Sequence, residues 1–291
     1  MPAATANMHN KESRIPFRVR NTLKKASAYT ILVLITIASL FPLFWMVSSS
    51  LKERRDIFLN PPMWIPVNPQ WNNYVILFKE RMFGTVIYNS LFITVIHTAL
   101  ALFFCTLAGY AFAKYQFRFK SLLFAIVLAS MMVPSETTII PMFEIYRSLG
   151  LIDNPWGVII TNVANAFGIF FMRQYCDSIH TELLEASRID GCSEFKIFTH
   201  VVLPNLRPAL ASLGIITFVN QWNNFLWPLI VLRSPGEQTV SLAVRALESG
   251  ARTPYELIMS GSVISVLPLL LIILLFQKQL IHGLMDGAVK G

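Results

Sequence analysis

Long apolar segments alternate with short polar segments along this chain of 291 residues. Uncharged runs occupy residues 26–51, 82–113, 154–172, 208–232 and 257–277. A sixth apolar run, 121–146, carries Glu136 and Glu144. Each run is near or above the roughly 18–20 residues that a helix needs to cross hydrocarbon. Because the alternating strands of a membrane barrel are absent, the pattern predicts an all-α polytopic membrane protein with six transmembrane helices.

The composition agrees with a membrane protein. Hydrophobic residues make up 54% of the chain and charged residues 14%, which is outside the usual range of soluble domains. The first run has a second interpretation, a signal peptide cleaved near Ser48 or Ser50. Its length, together with Pro42 and Trp45 close to that point, favours a retained helix.

The distribution of basic residues predicts the orientation. The larger share of the 24 Lys and Arg residues lies in the two ends of the chain and in alternate loops, which places both termini in the cytoplasm. The net charge of +8 is therefore a topology signal, and no nucleic-acid partner is needed to explain it. We divide the chain into a basic cytoplasmic tail (1–25), a transmembrane domain (26–282) with a cytoplasmic loop at 177–208, and a cytoplasmic tail (283–291).

The stretch from residue 182 to 210 is unusually polar for its position between two apolar runs. Thr181 and Glu182 suit a helix start, Gly191 interrupts the pattern, and a second helix is expected from Ser193. Pro204 then ends that helix before the next span. The spacing alone fits a surface helix on lipid headgroups as well as it fits a docking element.

The same stretch resembles the signature loop of permeases of ATP-binding-cassette importers. That signature has Glu-Ala-Ala, a Gly four residues after the second Ala, and a distal Ile-x-Leu-Pro. Its positions are occupied here by Glu185, Ala186, Ser187, Gly191, Val201, Leu203 and Pro204. Ser187 replaces the second Ala and Val201 replaces Ile, and both changes are conservative in size. The segments PPMWIPVNPQWNNY and GLMDGAVKG are similar to the maltose-type carbohydrate branch.

The resemblance implies a function. A chain of this type has the type I importer permease fold, forms half of a translocation pore for a sugar or related polyol, and docks through residues 182–204 on a separate ATPase. It implies a second permease subunit, two cytoplasmic ATPase subunits, an extracytoplasmic solute-binding protein and the plasma membrane of a prokaryote. The chain has no GxxxxGK[ST] phosphate loop, so ATP and Mg are expected on the ATPase partners and this chain is expected to be neither an enzyme nor a cofactor protein. The particular substrate stays open, glycerol phosphate included.

A polar and aromatic face is predicted within the fifth span. Asn220, Asn223, Asn224 and Trp227 follow helical spacing and suit a hydroxyl-rich substrate, so they are candidates for lining the pathway. Hydrogen bonding between helices would use the same amides equally well. Asn162 and Asn165 of the fourth span are open to both interpretations.

Glu136 lies between Pro134 and Pro141, where a bent or unwound helix and a solvated carboxylate are expected. A secondary transporter would need more intramembrane carboxylates or an inverted repeat, and a membrane hydrolase would need clustered catalytic groups. His97 stands alone in its span and is expected to be a hydrogen-bonded packing residue. The three cysteines, Cys105, Cys176 and Cys192, lack metal-ligand spacing, and no metal site is expected.

Overall fold

A computed structural model describes the backbone of residues 17–249 and 253–288, and the side chains of residues 25–248 and 253–277. The predicted all-α fold is confirmed: the described residues form helices joined by turns and contain no strand. The helices in the first half of the chain are α1 (Phe17–Ser50), α2 (Arg54–Ile57), α3 (Asn72–Glu80), α4 (Phe83–Lys114), α5 (Lys120–Ser130), α6 (Ile139–Ser148) and α7 (Trp156–Ile159).

The second half continues with eight further helices, interrupted by short pieces of other helix types. The helices are α8 (Ala166–Asp177), α9 (Thr181–Ile189), α10 (Glu194–Ile197), α11 (Leu203–Asn205), α12 (Arg207–Trp222), α13 (Leu226–Val231), α14 (Val240–Ala246) and α15 (Tyr255–Ala288). The interruptions are 3-10 turns at Ser135–Thr138, Pro235–Glu237 and Leu247–Ser249, and a π-helical turn at Phe198–Val202.

Three of the six predicted spans are unbroken helices within the described residues: Lys25–Ser50, Phe83–Lys114 and Tyr255–Gln277. The first and last continue beyond the proposed domain boundaries, since α1 begins at Phe17 and α15 runs to Ala288. Residues 1–16 and 289–291 of the two predicted tails lie outside the described residues.

The other three predicted spans are broken. The third bends by 97° between α5 and α6, and a bend of 76° separates the segment Glu194–Asn205 from α12. The fifth span ends as α12 at Trp222 and restarts as α13 at Leu226. The fourth consists of α7 and α8 with a turn between them, because the Asn165 side chain accepts a hydrogen bond from the Gly168 amide (2.7 Å) and starts a new helix there.

Helix α4 is the centre of the bundle. It packs along α8 and α12 and also contacts α3, α7 and α14. The close approach of α4 to α8 depends on Gly109, where a Cβ would lie 2.7 Å from the Arg173 amide nitrogen and from the Met172 Cβ. In contrast, residues 25–42 of α1 are all exposed within this chain, and α1 packs against α15. This chain alone therefore leaves a long apolar helix for lipid or another membrane subunit to cover.

Candidate functional site

A cavity of about 600 Å³ lies where the three broken spans meet. Its walls come from the turn before α6, the turn between α7 and α8, the end of α12 and the start of α13, with one side chain from α4. Its lining residues are His97, Ser135, Glu136, Thr138, Ile139, Met142, Thr161, Asn162, Asn165, Phe167, Ile216, Thr217, Asn220, Gln221, Asn224, Leu226 and Trp227.

The helix breaks account for the polarity of this cavity. Backbone that leaves the helical pattern at membrane depth is tolerated where it borders a polar cavity or protein instead of lipid. Asn162 adopts a left-handed conformation (φ 64°), which asparagine accommodates better than most residues. Glu136 lies on the 3-10 turn inside the bend of 97°, so the predicted unwinding between Pro134 and Pro141 is confirmed.

The cavity brings together part of the predicted polar face. Asn220 is exposed, Asn224 is half-buried, and both line the cavity together with Trp227. Asn223 does not line it, and its side-chain nitrogen donates to the Val219 carbonyl oxygen at 2.9 Å. The prediction assumed one continuous helix, but α12 ends before Asn223, so the four side chains do not share one face.

Trp227 and His97 line the cavity, and each hydrogen-bonds to a backbone carbonyl of α7. The Trp227 indole nitrogen donates to the Gly157 carbonyl oxygen (2.9 Å), and its ring meets Tyr146 edge-on with the centroids 5.2 Å apart. His97 Nδ1 donates to the Ile159 carbonyl oxygen at 2.8 Å, which confirms the hydrogen-bonded packing role predicted for it. Both contacts tie the short helix α7 to its neighbours and fix the shape of the cavity.

Sequence reasoning left several other lining residues unassigned or open. Asn162 and Asn165 were undecided between pathway and packing, and the structure places both at the cavity. Gln221 lies beside the predicted polar face and also lines the cavity, whereas Thr217, earlier in α12, was not singled out. The Gln221 side-chain nitrogen is buried and has no hydrogen-bond partner among the described residues. The signal available in the sequence was the density of asparagine near the breaks, since asparagine caps helices and enters left-handed turns.

The polar stretch after α8 has the predicted helix, hinge and helix. Gly191 has φ +79° and follows Asp190, the residue that caps the end of α9. The Cys192 amide donates to the Ser187 carbonyl oxygen and the Gly191 amide to the Arg188 carbonyl oxygen, both at 3.0 Å. This pair of bonds is the Schellman motif that commonly ends a helix with a left-handed glycine. Ser193 then starts α10, and its hydroxyl accepts from the Lys196 amide.

The signature residues fall into two groups by exposure. Glu185, Ala186 and Gly191 are exposed, whereas Ser187, Leu203 and Pro204 are half-buried. The stretch is held against the bundle by Leu184, Ile197, Val202 and Leu206, which are buried in one cluster with Met172 and Cys176 of α8. Ile189 and Phe195 remain 86% and 75% exposed on the outer side. The outer side is thus apolar and accessible, and the inner side is fixed.

A charged contact joins the two short helices to the end of α4. The Arg188 guanidinium donates to both Glu194 carboxylate oxygens (2.7 and 3.3 Å), and the Tyr115 hydroxyl donates to Glu194 Oε2 at 2.5 Å. Hydrogen bonds from Arg188 and then Tyr115 hold the pKa of Glu194 below its usual range. Burial, followed by the Glu194 carboxylate, raises the pKa of Tyr115. Arg188, Glu194 and Tyr115 are called the Glu194 clamp below.

Comparison with known proteins identifies the type of chain. Residues 105–285 match the family described as binding-protein-dependent transport system inner membrane component. The arabinooligosaccharides transport system permease protein AraQ of Bacillus subtilis is 37% identical, over 89% of this chain and 93% of that protein. The lactose transport system permease protein LacG of Rhizobium radiobacter is 32% identical, over 94% of this chain and 98% of that protein.

The fold has a solved counterpart. A chain in the crystal structure of a bacterial ABC transporter for import of the acidic polysaccharide alginate superposes with a TM-score of 0.79 at 25% identity, covering 91% of this chain and 99% of that one. The matched family region begins inside α4 and includes the signature stretch and every cavity-lining residue except His97. This chain therefore belongs to the family of inner-membrane components of binding-protein-dependent transport systems.

Proposed function

We propose that this chain forms half of the translocation pore of an ATP-driven importer for a sugar or a related polyol. Two of the permeases that resemble it along nearly their whole length are named for arabinooligosaccharides and lactose. The observation that carries the proposal is the cavity at the three helix breaks, which presents amides and aromatic rings together. Such groups suit a hydroxyl-rich ligand, because amides both donate to and accept from hydroxyls while the ring faces pack against the sugar carbons.

Coupling to ATP hydrolysis is the second part of the proposal. Residues 182–204 dock on a separate ATPase subunit, with Glu185, Ala186, Ser187 and Gly191 shaping the docking helix and Leu203 and Pro204 connecting it to the next span. In support, the outer side of this stretch exposes Ile189 and Phe195, and its inner side is packed into the bundle. Movement of the ATPase would then reach the cavity along α12, whose 16 residues extend about 24 Å.

The remaining partners follow from this assignment. A second permease completes the pore and covers apolar surface that this chain leaves exposed, two ATPase subunits bind ATP and Mg, and an extracytoplasmic solute-binding protein delivers the substrate. The chain itself needs no cofactor. Both termini lie in the cytoplasm of a prokaryote, as the distribution of Lys and Arg predicts.

The test is purification of the assembled complex followed by reconstitution into lipid vesicles. We expect an ATPase, a second permease and a binding protein to copurify with this chain, and we expect uptake of an arabinooligosaccharide or of lactose to require ATP. Uptake by this chain alone, driven by an ion gradient without an ATPase, would contradict the proposal. Vesicles prepared without this chain but with the other subunits are the matched control and should show no uptake.

A further inference from the structure

Glu136 is the only charged residue among the described residues that line the cavity. The other polar lining groups are neutral amides, hydroxyls and one imidazole. No Lys or Arg lines the cavity, and among the described side chains none lies within 4.0 Å of the Glu136 carboxylate. This half of the cavity therefore contains one carboxylate and no formal positive charge from Lys or Arg.

The Glu136 carboxylate is free to face a ligand. The residue is exposed on the 3-10 turn, and its carboxylate accepts a hydrogen bond from the Ser135 hydroxyl at Oε1 (3.1 Å). Two basic side chains on or against α6 are engaged elsewhere: Arg147 pairs with Glu144 at 3.8 Å, and the Arg233 guanidinium lies over the Phe143 ring. No basic side chain in the described part of the chain forms an ion pair with Glu136.

We propose that Glu136 is a charge-selecting residue of the pathway, which favours neutral or amine-bearing hydroxyl-rich molecules and disfavours anionic ones. This inference rests on the proposed function, because it concerns the same cavity. A carboxylate on the wall of a cavity raises the local concentration of cations and lowers that of anions, whereas neutral hydroxyls can still donate hydrogen bonds to it. Neutral oligosaccharides thus fit this half of the pathway better than uronates or phosphorylated polyols.

The test measures the local potential directly. In the assembled complex, Cys105, Cys176 and Cys192 are replaced by serine or alanine, and Asn220→Cys provides one thiol in the cavity. The rates of its reaction with a positively charged and a negatively charged methanethiosulfonate reagent are compared, each divided by its rate with a small thiol in solution. We expect the cationic reagent to react about tenfold faster after this correction, which is the order that one carboxylate at short range produces in a partly solvated site.

Two further variants identify the source of that preference. Glu136→Gln should bring the corrected ratio close to one, whereas Glu144→Gln, an exposed glutamate outside the lining, should leave it unchanged. A ratio that survives Glu136→Gln, or a preference for the anionic reagent, overturns the charge selection and leaves the pathway intact. A thiol at position 220 that reacts with neither reagent in any state of the complex overturns the pathway assignment itself.

Discussion

Gly191→Ala tests whether the left-handed turn after α9 shapes the docking surface. Gly191 has φ +79°, and an added Cβ would meet nothing within 4 Å. Steric contact therefore costs nothing, and the whole effect is the backbone penalty of a left-handed L-residue, about 1–2 kcal/mol. The two Schellman hydrogen bonds depend on this conformation, so the variant relaxes the turn that orients α9 against α10.

The affinity of the ATPase subunit is the quantity to measure. If docking requires the observed turn, binding must restore the strained conformation, and about 1–2 kcal/mol corresponds to a loss of roughly 5- to 30-fold in affinity. The assay titrates purified ATPase onto the membrane complex in lipid nanodiscs. Gly191→Asn should lose less affinity than Gly191→Ala, because asparagine tolerates left-handed backbone.

A second glycine gives the matched control. Gly236 also has open space around its Cβ position but has no positive φ, so Gly236→Ala should leave the affinity unchanged. Equal affinities for wild type, Gly191→Ala and Gly191→Asn would show that the turn does not set the docking geometry. In that case the role given to Gly191 has to be withdrawn.

Three further predictions concern the Glu194 clamp, the centre of the bundle and the polar face. Because Arg188 lowers the pKa of Glu194, the ionised Glu194 carboxylate stabilises the fold at pH values above the ordinary carboxyl pKa. This stabilisation is lost as pH falls through the lowered pKa, so the melting temperatures of wild type and Glu194→Gln should converge as pH is lowered through that range. Gly109→Ala should lower the melting temperature through overpacking of about 1–3 kcal/mol, with Gly84→Ala, where a Cβ has open space, as its control. Asn223→Leu should cost no more than about 0.6 kcal/mol of stability, the average for side-chain hydrogen bonds between membrane helices, because its bond to Val219 is local; uptake per folded complex should be normal.

Much of the fold was predictable because a helix that crosses the hydrocarbon of a membrane needs a long apolar run, which is easily recognised in a sequence. The charge-free runs at 82–113 and 257–277 are single helices, as their length predicts. The second continues through Pro268, although proline has no backbone N–H to donate. The hinge at Gly191 was predictable for a related reason, because a glycine between two amphipathic segments is the usual way to end a helix in the left-handed region.

The helix breaks inside apolar runs were only partly predictable. The prolines around Glu136 revealed the bend between α5 and α6, but the turn between α7 and α8 depends on the Asn165 side chain capping Gly168. A hydropathy pattern is insensitive to such a cap, since one asparagine changes the average of a long window very little. For the same reason the polar face of the fifth span was predicted for a continuous helix, and Asn223 was grouped with the residues that line the cavity.

The Glu194 clamp could not have been found from spacing alone. Arg188 and Glu194 are six residues apart and meet because Gly191 reverses the chain, while Tyr115 belongs to a helix end almost eighty residues earlier. Contacts of this kind depend on how α4 packs beside α9 and α10, which no local pattern encodes. The sequence therefore indicated where the helix, hinge and helix of the signature stretch lie, and the structure shows what holds them together.

State-dependent labelling of a cysteine in the cavity tests the central claim most directly. With the native cysteines replaced, Asn224→Cys should react with a small thiol reagent at different rates in the resting and the ATP-trapped complex, because alternating access opens such a cavity to one side at a time. Asn223→Cys, outside the lining, should not show the same difference. A cysteine at position 224 that is unreactive in every state, with normal transport per folded complex, would contradict the assignment of this cavity to the translocation pathway.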